Sequence, residues 1–508
     1  MINVNHLNLF RRKSDATGAT ILSCYPAESP VKVFEQSYWW SDAWDAIDYG
    51  RPFDFTRPFF DQFAELHRGV PCPALITDYL HDENCEYTNY SGRNKDCYLI
   101  FDSDESRDCY YSYTIRNSRN SFDIYRSQQL ELCYEVLDSR VCYRSAYLWN
   151  CESCQESLLL SNCTGCKSCL MCCNLRHKEY YVMNREVSRD EFLKLRRSLA
   201  HYDTLEDACA TFNEFRKRFP ERAMRGFHNE NVSGDYLVHC KDSQLCFDGL
   251  SLRDCKYCTQ SFAHLSDCWD CYGGGEGELL YECSNLGYNA FNLRFCSLAL
   301  NQIRDLTYCI SSWNGSHDLF GCVGLKKKSY CILNKQYTKS EYEALLPRVI
   351  EHMNKNGEWG EPFPPKVSVL PYNVSTSYEH FPMSKDQARS EGFSWLDENV
   401  KDHQAQQYAV PQEISQVSDD ITKALLACEN CHKNFKILPQ ELAFYRDIGI
   451  PVPRSCFFCR HQRRAAQRYP RKLWNSACSK CSTKMLTSCA PDRGLAVYCD
   501  RCFSDALE

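Results

Sequence analysis

Apolar and polar positions alternate along most of the chain in short runs that recur at nearly constant spacing. In the first half the run recurs at every twelfth position: a small residue marks each copy, an aromatic residue often follows it, and a polar turn such as SDESRD precedes it. The marked positions, with one shorter step before Cys142, are Cys85, Cys97, Cys109, Ser121, Cys133, Cys142, Cys154 and Cys166. A β-rich unit this short indicates a β-solenoid, because helical hairpin repeats need longer units.

A second array of the same kind follows, in which the intervals between marked positions vary from nine to fifteen. Its marked positions are Cys246, Cys255, Cys268, Cys283, Cys296, Cys309 and Cys322. The two arrays end alike, since residues 171–192 align without a gap onto residues 321–342. Both ends lead into a helix-capping pattern, Ser188 with Glu191 and Thr338 with Glu341, which predicts helices that cap or separate the solenoids.

The interior of such a solenoid is a stack of like side chains, and cysteine is small enough for a narrow one. The tyrosine, phenylalanine and tryptophan residues of the repeats are not small. The repeat unit suits part or all of one coil, and two units per coil, about 24 to 26 residues, would house these rings better and are the preferred expectation.

The pattern therefore predicts a mainly β protein: two cysteine-rich, β-helix-like solenoid segments with capping helices, followed by small zinc-ribbon domains. Eleven aromatic residues between positions 34 and 63 favour a packing cap, with a sugar- or base-stacking surface as the alternative. The predicted segments are 1–80 (degenerate ribbon and aromatic cap), 81–187 (first solenoid), 188–230 (helical connector), 231–337 (second solenoid), 338–360 (capping helix), 361–424 (extended surface linker), 425–475 (first zinc ribbon) and 476–508 (second zinc ribbon).

Composition narrows the class of protein. The chain has 508 residues, 35 of them cysteine, and no apolar run long enough to span a membrane. Its first residues lack the apolar stretch of a secretory signal peptide. Because the cysteine count is odd and many cysteines occur as CxxC pairs, metal binding is favoured over a disulfide framework. We expect a cytoplasmic protein with reduced thiols and no membrane partner.

Eight C-terminal cysteines form two sets of paired CxxC motifs. They are Cys428, Cys431, Cys456 and Cys459 in the first set and Cys478, Cys481, Cys499 and Cys502 in the second. Two CxxC turns present four thiolates to one ion and leave no open position, so the sets predict two structural zinc sites, with rubredoxin-like iron as the alternative metal. Cys489 is left over.

The first set carries a resemblance to a known class of protein domain. Its CxxC is followed by Phe435, Gln440-Glu441-Leu442, Phe444-Tyr445, Gly449 and a PxxCxxCR motif that ends at Arg460. This pattern resembles a probable zinc-binding domain, and the second set resembles zinc ribbons that carry such a tail. The solenoid part is similar to cysteine- and tyrosine-rich bacterial proteins of unknown function. The resemblance implies zinc binding and no activity.

The N-terminus is similar to a worn copy of the second zinc ribbon. At an offset of 464, Leu9, Leu22 and Val33 match Leu473, Leu486 and Val497. The four positions that correspond to the metal ligands are Ser14, Thr17, Glu35 and Tyr38. This alignment predicts a ribbon fold that persists without metal.

Further cysteine clusters leave alternatives open. The run Cys163, Cys166, Cys169 and Cys173 has ferredoxin spacing but lacks the following proline. Two CxxC pairs lie one repeat apart in each array and would form extra zinc sites if neighbouring coils brought them together: Cys151, Cys154, Cys163 and Cys166, and Cys255, Cys258, Cys268 and Cys271. A buried ladder of small thiols is the alternative for both.

Charge is unevenly distributed between the two ends of the chain. The net charge is -7, but residues 428–508 carry 14 basic and 7 acidic residues, a balance of +7. The basic residues of the stretch 460–472 are Arg460, Arg463, Arg464, Arg468, Arg471 and Lys472. They are candidate nucleic-acid contacts, since such a stripe neutralises phosphates, and a solvated helix face is the alternative.

These observations favour a zinc-binding, non-catalytic scaffold or interaction protein with a protein partner. Nucleic-acid binding through the basic zinc ribbons is the first alternative. A β-helix enzyme acting on polysaccharide is the second, with Asp102, Asp104 and Glu105 as groove candidates. No nucleotide-binding, serine-hydrolase or metalloprotease motif occurs in the sequence, and the glycine-rich stretch 273–277 is best interpreted as a solvent loop.

Overall fold

In a computed structural model, the structure describes residues 4–259, 284–286, 297–300, 304–313, 315–397 and 403–507. The described strands, in chain order, are β1 (Phe10–Lys13), β2 (Thr20–Ser23), β3 (Val33–Phe34), β4 (Cys72–Pro73), β5 (Thr77–Asp78), β6 (Asn89–Gly92), β7 (Tyr98–Asp104), β8 (Tyr110–Arg116), β9 (Phe122–Gln128), β10 (Tyr134–Leu137), β11 (Ala146–Trp149), β12 (Leu158–Ser161), β13 (Leu170–Cys173), β14 (Tyr181–Val182), β15 (Arg185–Glu186), β16 (Glu221–Arg222), β17 (Gly226–Phe227), β18 (Gly234–Val238), β19 (Cys246–Leu250), β20 (Ser284–Leu286), β21 (Ser297–Leu300), β22 (Arg304–Thr307), β23 (Ile310–Trp313), β24 (His317–Phe320), β25 (Ser329–Ile332), β26 (Lys335–Gln336), β27 (Leu426–Ala427), β28 (Asn434–Phe435), β29 (Trp474–Ala477), β30 (Lys484–Thr487) and β31 (Val497–Tyr498).

The described α-helices are fewer than the strands. They are α1 (Gln36–Trp40), α2 (Phe59–Gly69), α3 (Arg189–Ser198), α4 (Tyr202–Arg216), α5 (Lys339–Lys355), α6 (Thr376–His380), α7 (Lys385–Ser390), α8 (Pro439–Ile448), α9 (Phe457–Gln467) and α10 (Asp500–Ser504). The chain is mainly β, as predicted.

The chain divides into two compact units, and each contains one solenoid. The second-solenoid unit comprises Met1–Leu75, Arg222–Asp397 and Pro470–Arg493. The first-solenoid unit comprises Ile76–Glu221, Glu398–Tyr469 and Gly494–Glu508. Each unit is thus built from separate stretches of the chain, which differs from the consecutive segments that the sequence pattern predicts.

The first solenoid has one repeat unit per coil. Strands β5 to β14 form a continuous parallel sheet, which the antiparallel strand β15 ends. Tyr110 pairs with Phe122, and Leu158 pairs with Leu170, so one coil is as long as one repeat unit of the sequence. The expected coil of two repeat units is therefore wrong. Every third residue within a coil has a positive φ, for example Asn117, Asn120 and Asp123, so the chain turns sharply at short intervals.

Small side chains fill this narrow coil because each one also satisfies the backbone around it. The Ser139 hydroxyl donates to the carbonyl of Leu137 at 2.9 Å and accepts the N–H of Cys151, one coil later, at 3.0 Å. The Cys133 thiol donates in the same way to the carbonyl of Glu131 at 3.4 Å. Serine and cysteine therefore share the inward columns, beside buried isoleucine, valine and leucine side chains.

The aromatic residues of the repeats lie outside the coil, which explains why the expected coil size is wrong. Tyr110 and Phe122 stack on one another from successive coils, with ring centroids 4.8 Å apart. Helices α8 and α9 cover this outer face: Phe444 lies 4.3 Å from Phe122, and His461 lies 5.2 Å from Tyr125, measured between ring centroids. The outer aromatic columns are buried by these helices rather than by the solenoid interior.

The second solenoid repeats the same construction with slightly variable coils. Gly234 pairs with Cys246, as in the first solenoid, whereas Ser297 pairs with Ile310, which lengthens the coil by one position. Helix α5 follows this solenoid, and Thr338 and Glu341 form the predicted reciprocal capping box at its start. The predicted markers Cys268, Cys283 and Cys296, and the glycine-rich stretch 273–277, lie outside the described residues.

The aromatic N-terminal segment packs within the core of the second-solenoid unit. Phe59 of helix α2 contacts Phe320 of strand β24, with ring centroids 5.3 Å apart. Both carboxylate oxygens of the buried Glu358 accept backbone N–H groups at the start of α2, from Phe59 at 2.8 Å and from Phe60 at 2.9 Å. These contacts agree with a packing cap rather than with an exposed stacking surface.

The segment 361–424 is not an extended surface linker over its described part. It contains α6 and α7. Val369 is buried in a small cluster with Val31 and Val33. Tyr372 and Val374 are also buried. The proline residues that suggested a linker interrupt regular structure without preventing packing.

Candidate metal centres

The first cysteine quartet begins in a tight hairpin between β27 and β28. The Cys428 N–H donates to the carbonyl of Lys433 at 3.0 Å, and the His432 N–H donates back to the carbonyl of Cys428 at 2.9 Å. His432 has a φ of 61°, which closes the turn. This turn brings Cys428 and Cys431 to one side of the hairpin, as a CxxC knuckle requires.

The other half of the first quartet belongs to the start of helix α9. Cys456 is the N-cap residue of this helix, and Cys459 lies in its first turn. The Cys456 N–H donates to Sγ of Cys428 at 3.2 Å, and Sγ of Cys431 lies 3.6 Å from Sγ of Cys456. All four sulfur atoms lie within 4.8 Å of one another.

Electrostatics around the quartet favour a thiolate at Cys428. Burial opposes its ionisation, but backbone N–H groups of Cys456, Cys431 and Asn430 point at the sulfur and lower its pKa to about 6. Burial raises the pKa of Cys456 to about 11. The donor set of four convergent thiols fits a four-coordinate metal ion with no open position, which is the chemistry of a structural site.

The second quartet repeats this construction. The Cys478 N–H donates to the carbonyl of Thr483 at 2.9 Å, and the Ser482 N–H donates back to Cys478 at 2.8 Å. Cys499 is the N-cap residue of helix α10. The sulfur atoms of the predicted quartet again lie within 4.8 Å of one another. Both predicted cysteine sets are therefore brought together, and each can hold a metal ion.

The N-terminal segment has the same strands and helix as the second ribbon. Subtracting 464 from the bounds of β29, β30, β31 and α10 gives the bounds of β1, β2, β3 and α1. The strand register is also the same, since Phe10 pairs with Ser23 as Trp474 pairs with Thr487. The segment is thus a third ribbon whose ligand positions hold no cysteine.

Hydrogen bonds take the place of metal ligands in this third ribbon. Ser14 stands at the position of Cys478, and its hydroxyl donates to the carboxylate of Glu35, which stands at the position of Cys499. Burial alone would raise the pKa of Glu35, but hydrogen bonds from Ser14 and Thr17 lower it below its usual range. The Glu35 carboxylate therefore joins the knuckle to the start of α1, as a metal would.

The described solenoid cysteines do not assemble into comparable groups. Among the described residues, the two C-terminal quartets are the only groups of three or more potential ligands within 4.8 Å. Neither the ferredoxin-like run Cys163–Cys166–Cys169–Cys173 nor the set Cys151, Cys154, Cys163 and Cys166 forms such a group. The set that includes Cys268 and Cys271 lies partly outside the described residues. Burial raises the pKa of Cys133 to about 12, in keeping with a packing thiol.

Most of the basic stripe after Cys459 is not exposed, although Arg463 is 48% exposed. Both oxygens of Asp123 lie 3.0 Å from Nε of Arg460, and the two side chains are 0% and 2% exposed. Arg464 pairs with Asp123 at 2.9 Å and with Glu135 at 3.0 Å. Arg463 pairs with Glu135 at 2.6 Å and Arg468 with Asp138 at 2.8 Å.

The last two residues of the stripe lie in the second-solenoid unit. Arg471 pairs with Asp248 at 2.9 Å and is 5% exposed. Lys472 is exposed, and its ammonium lies 5.3 Å from the ring centroid of Trp474. The solenoids thus supply carboxylates to five of the six cations of this stripe, and only Arg463 and Lys472 are exposed among the six.

A third carboxylate completes the buried charge cluster on the first solenoid. Glu441 of helix α8 is 0% exposed and accepts hydrogen bonds from the hydroxyls of Tyr111 at 3.1 Å and Tyr445 at 2.7 Å. One of its oxygens lies 3.9 Å from Arg460. Burial raises the pKa of Glu441 despite this arginine. The sequence analysis missed Asp123 and Glu135. They lie twelve positions apart at a repeat position that Tyr111 and Tyr147 also occupy, and this change from aromatic to acidic residues was the available signal.

The three acids considered for a sugar-binding groove bridge neighbouring coils instead. The hydroxyl of Thr114 donates to Asp102 at 2.9 Å. Asp104 pairs with Arg116 at 3.4 Å and Glu105 with Arg93 at 3.3 Å. These partners hold the acids in inter-coil ladders.

Comparison with known proteins finds no match to this chain among family models, curated proteins or solved structures. No helix in the described part of the chain combines the length and the apolar character needed to cross a membrane.

Proposed function

We propose that this protein is a zinc-dependent, non-catalytic scaffold in which the first metal centre fastens helix α9 to the outer face of the first solenoid. The main support is that a metal ligand and a docking residue are neighbours in the chain. Cys459 is followed directly by Arg460, whose guanidinium is buried against Asp123. The metal would set where the helix starts, and the arginines would set where it lies.

Zinc is the proposed metal at both quartets. Four thiolates in a tetrahedral set are the usual donors of structural zinc, and such sites supply folding energy to segments without their own core. The ribbons here are small segments of that kind: a two-stranded hairpin followed by α8 and α9 in the first, and a two-stranded hairpin followed by β31 and α10 in the second. Iron in a rubredoxin-like site would use the same donors, so elemental analysis decides between the two metals.

We propose a protein partner rather than nucleic acid, because most cations of the basic stripe already pair with carboxylates of the same chain. Of the six stripe residues only Lys472 stands without a carboxylate partner in the ion pairs described above. The closed sulfur donor sets offer no site for catalysis. We propose a reducing, cytoplasmic location, which is supported by the free state of the described cysteines.

Metal analysis of the full chain, purified with a reductant, tests the proposal. Inductively coupled plasma mass spectrometry is expected to find two zinc ions per chain. The Cys456→Ser variant is expected to retain one and to become sensitive to trypsin after Arg460 and Arg464. Cys489→Ser is the matched control, because Cys489 is a buried cysteine outside both quartets, and it is expected to retain two zinc ions. A wild-type chain without zinc contradicts the proposal.

A further inference from the structure

Two of the four thiols of the first metal centre are easier to reach than most of the other described thiols, whereas Cys428 and Cys456 are buried. Cys431 and Cys459 are only partly buried, whereas the solenoid thiols of the first array from Cys97 to Cys173 are buried. Reaction with small oxidants follows access to the sulfur and its thiolate character. An oxidant that meets the folded chain therefore reaches the C-terminal quartets before the cysteine ladder.

Two sulfurs of the first centre are already close to one another. Sγ of Cys431 lies 3.6 Å from Sγ of Cys456, and a disulfide needs about 2.05 Å. Cys431 belongs to the hairpin knuckle and Cys456 to the start of α9. A bond between them would use two of the four ligands, and the two that remain do not complete a tetrahedral zinc site.

The docking contact of α9 tolerates little displacement. It buries Arg460 and Arg464 against Asp123 and Glu135, and each of these side chains is at most 4% exposed. Buried ion pairs are stable only in good geometry, because a displaced partner leaves an uncompensated buried charge. Loss of the anchor at Cys456 and Cys459 would act directly on the turn that precedes Arg460 and Arg464.

We propose that the first metal centre is an oxidant-sensitive latch, which a hydroperoxide opens by joining Cys431 to Cys456. This inference rests on the proposed zinc centre. The two thiolates lose two electrons and form one S–S bond. Hydrogen peroxide accepts those electrons with two protons and becomes two water molecules, while Zn²⁺ leaves. Helix α9 then separates from the solenoid face and exposes Arg460 and Arg464 together with the acidic and aromatic surface around Asp123.

The test uses the full zinc-loaded chain and hydrogen peroxide. Zinc release is followed with a chromogenic chelator, the disulfide is mapped by mass spectrometry, and undocking is measured as tryptic cleavage after Arg460 and Arg464. We expect a Cys431–Cys456 disulfide, zinc release and new cleavage to rise together. Dithiothreitol with added Zn²⁺ is expected to reverse all three.

Two variants separate the steps of the latch. Asp123→Asn weakens docking without touching a thiol, so it is expected to show the tryptic cleavage without oxidant while it retains its zinc. Cys489→Ser is expected to respond to peroxide as the wild type does. The latch is overturned if peroxide releases zinc while Arg460 and Arg464 stay protected, or if ladder cysteines are oxidised before Cys431 and Cys456. A chain that binds no zinc at all contradicts the proposed function itself, and the latch with it.

Discussion

Nη1 of Arg464 lies 2.9 Å from a carboxylate oxygen of Asp123, with both side chains almost completely buried although the two residues are far apart in sequence. Asp123 also pairs with Arg460, and Glu135 pairs with Arg463 and Arg464. Three guanidinium groups thus meet Asp123, Glu135 and the more distant Glu441. Because these carboxylates neutralise the guanidinium groups, the basic helix α9 can be buried against the first solenoid.

Removing one member of this cluster should destabilise the first-solenoid unit strongly. Asp123→Asn leaves Arg460 and Arg464 without their shared carboxylate, and breaking a buried pair in this way costs about 3–5 kcal/mol. Chemical denaturation followed by fluorescence measures the effect. Arg144→Gln is the control, because its pair with Asp447 is only partly buried, with side chains 35% and 50% exposed, and solvent-exposed pairs contribute roughly 0–1 kcal/mol. Equal effects of the two substitutions would contradict the buried cluster.

The solenoid interior should tolerate serine in place of cysteine but should be destabilised by an aromatic residue at the same position. Cys133 shares its inward column with Ser121 and Ser145, whose hydroxyls donate to the backbone two residues earlier, as its own thiol does. Cys133→Ser is therefore expected to fold with nearly unchanged stability. Cys133→Phe is expected to lose about 1–3 kcal/mol or more by overpacking.

An outward position provides the control for that pair of variants. Val141 is 47% exposed in the same solenoid, so Val141→Phe should change the free energy of unfolding by no more than about 0.5 kcal/mol. If Cys133→Phe were as stable as Val141→Phe, the coil would not be the narrow one that the strand register describes.

The N-terminal ribbon should accept a metal once its ligands are restored. Ser14, Thr17, Glu35 and Tyr38 stand at the four ligand positions, and the strand and helix bounds match those of the second ribbon. Replacing all four with cysteine is expected to raise bound zinc from two to three ions per chain. Ser14→Cys with Thr17→Cys alone supplies half a ligand set and is expected to leave the count at two.

Acid should weaken the same ribbon through Glu35. Its pKa is lower in the folded chain than in an unfolded one, because hydrogen bonds from Ser14, from a backbone N–H and from Thr17 together outweigh burial. The carboxylate therefore stabilises the fold fully above its unfolded pKa of about 4.3, and this contribution is lost as the pH falls through the lowered folded pKa. Denaturation at several pH values should show wild type and Glu35→Gln differing most near neutrality and converging in acid.

A charge-loss control accompanies the acid series. Glu343 is an exposed residue of helix α5 outside the N-terminal ribbon. Glu343→Gln should not reproduce the stability difference of Glu35→Gln. A Glu35→Gln variant that remains as stable as wild type at neutral pH would show that the hydrogen bonds of Glu35 do not join the knuckle to α1.

What the sequence could predict depends on how local the signal is. The regular spacing of cysteine and serine predicts stacked coils, and the CxxC pairs predict convergent thiols. Both features form between residues that are close together in the sequence. The coil size could not be read from Tyr110 or Phe122, since burial beneath α8 and α9 looks the same in sequence as burial inside a coil. The burial of Arg464 could not be predicted either, because its partner Asp123 is remote in sequence.

The central claim is that the first metal centre holds helix α9 on the first solenoid, and hydrogen–deuterium exchange with and without metal tests it most directly. The full chain is compared before and after treatment with a chelator under reducing conditions, with Cys489→Ser as the control. Faster exchange is predicted in residues 457–467 and also in the solenoid strands β8 to β10, which α8 and α9 cover. Faster exchange confined to residues 428–435, with α9 and the three strands still protected, would contradict the claim.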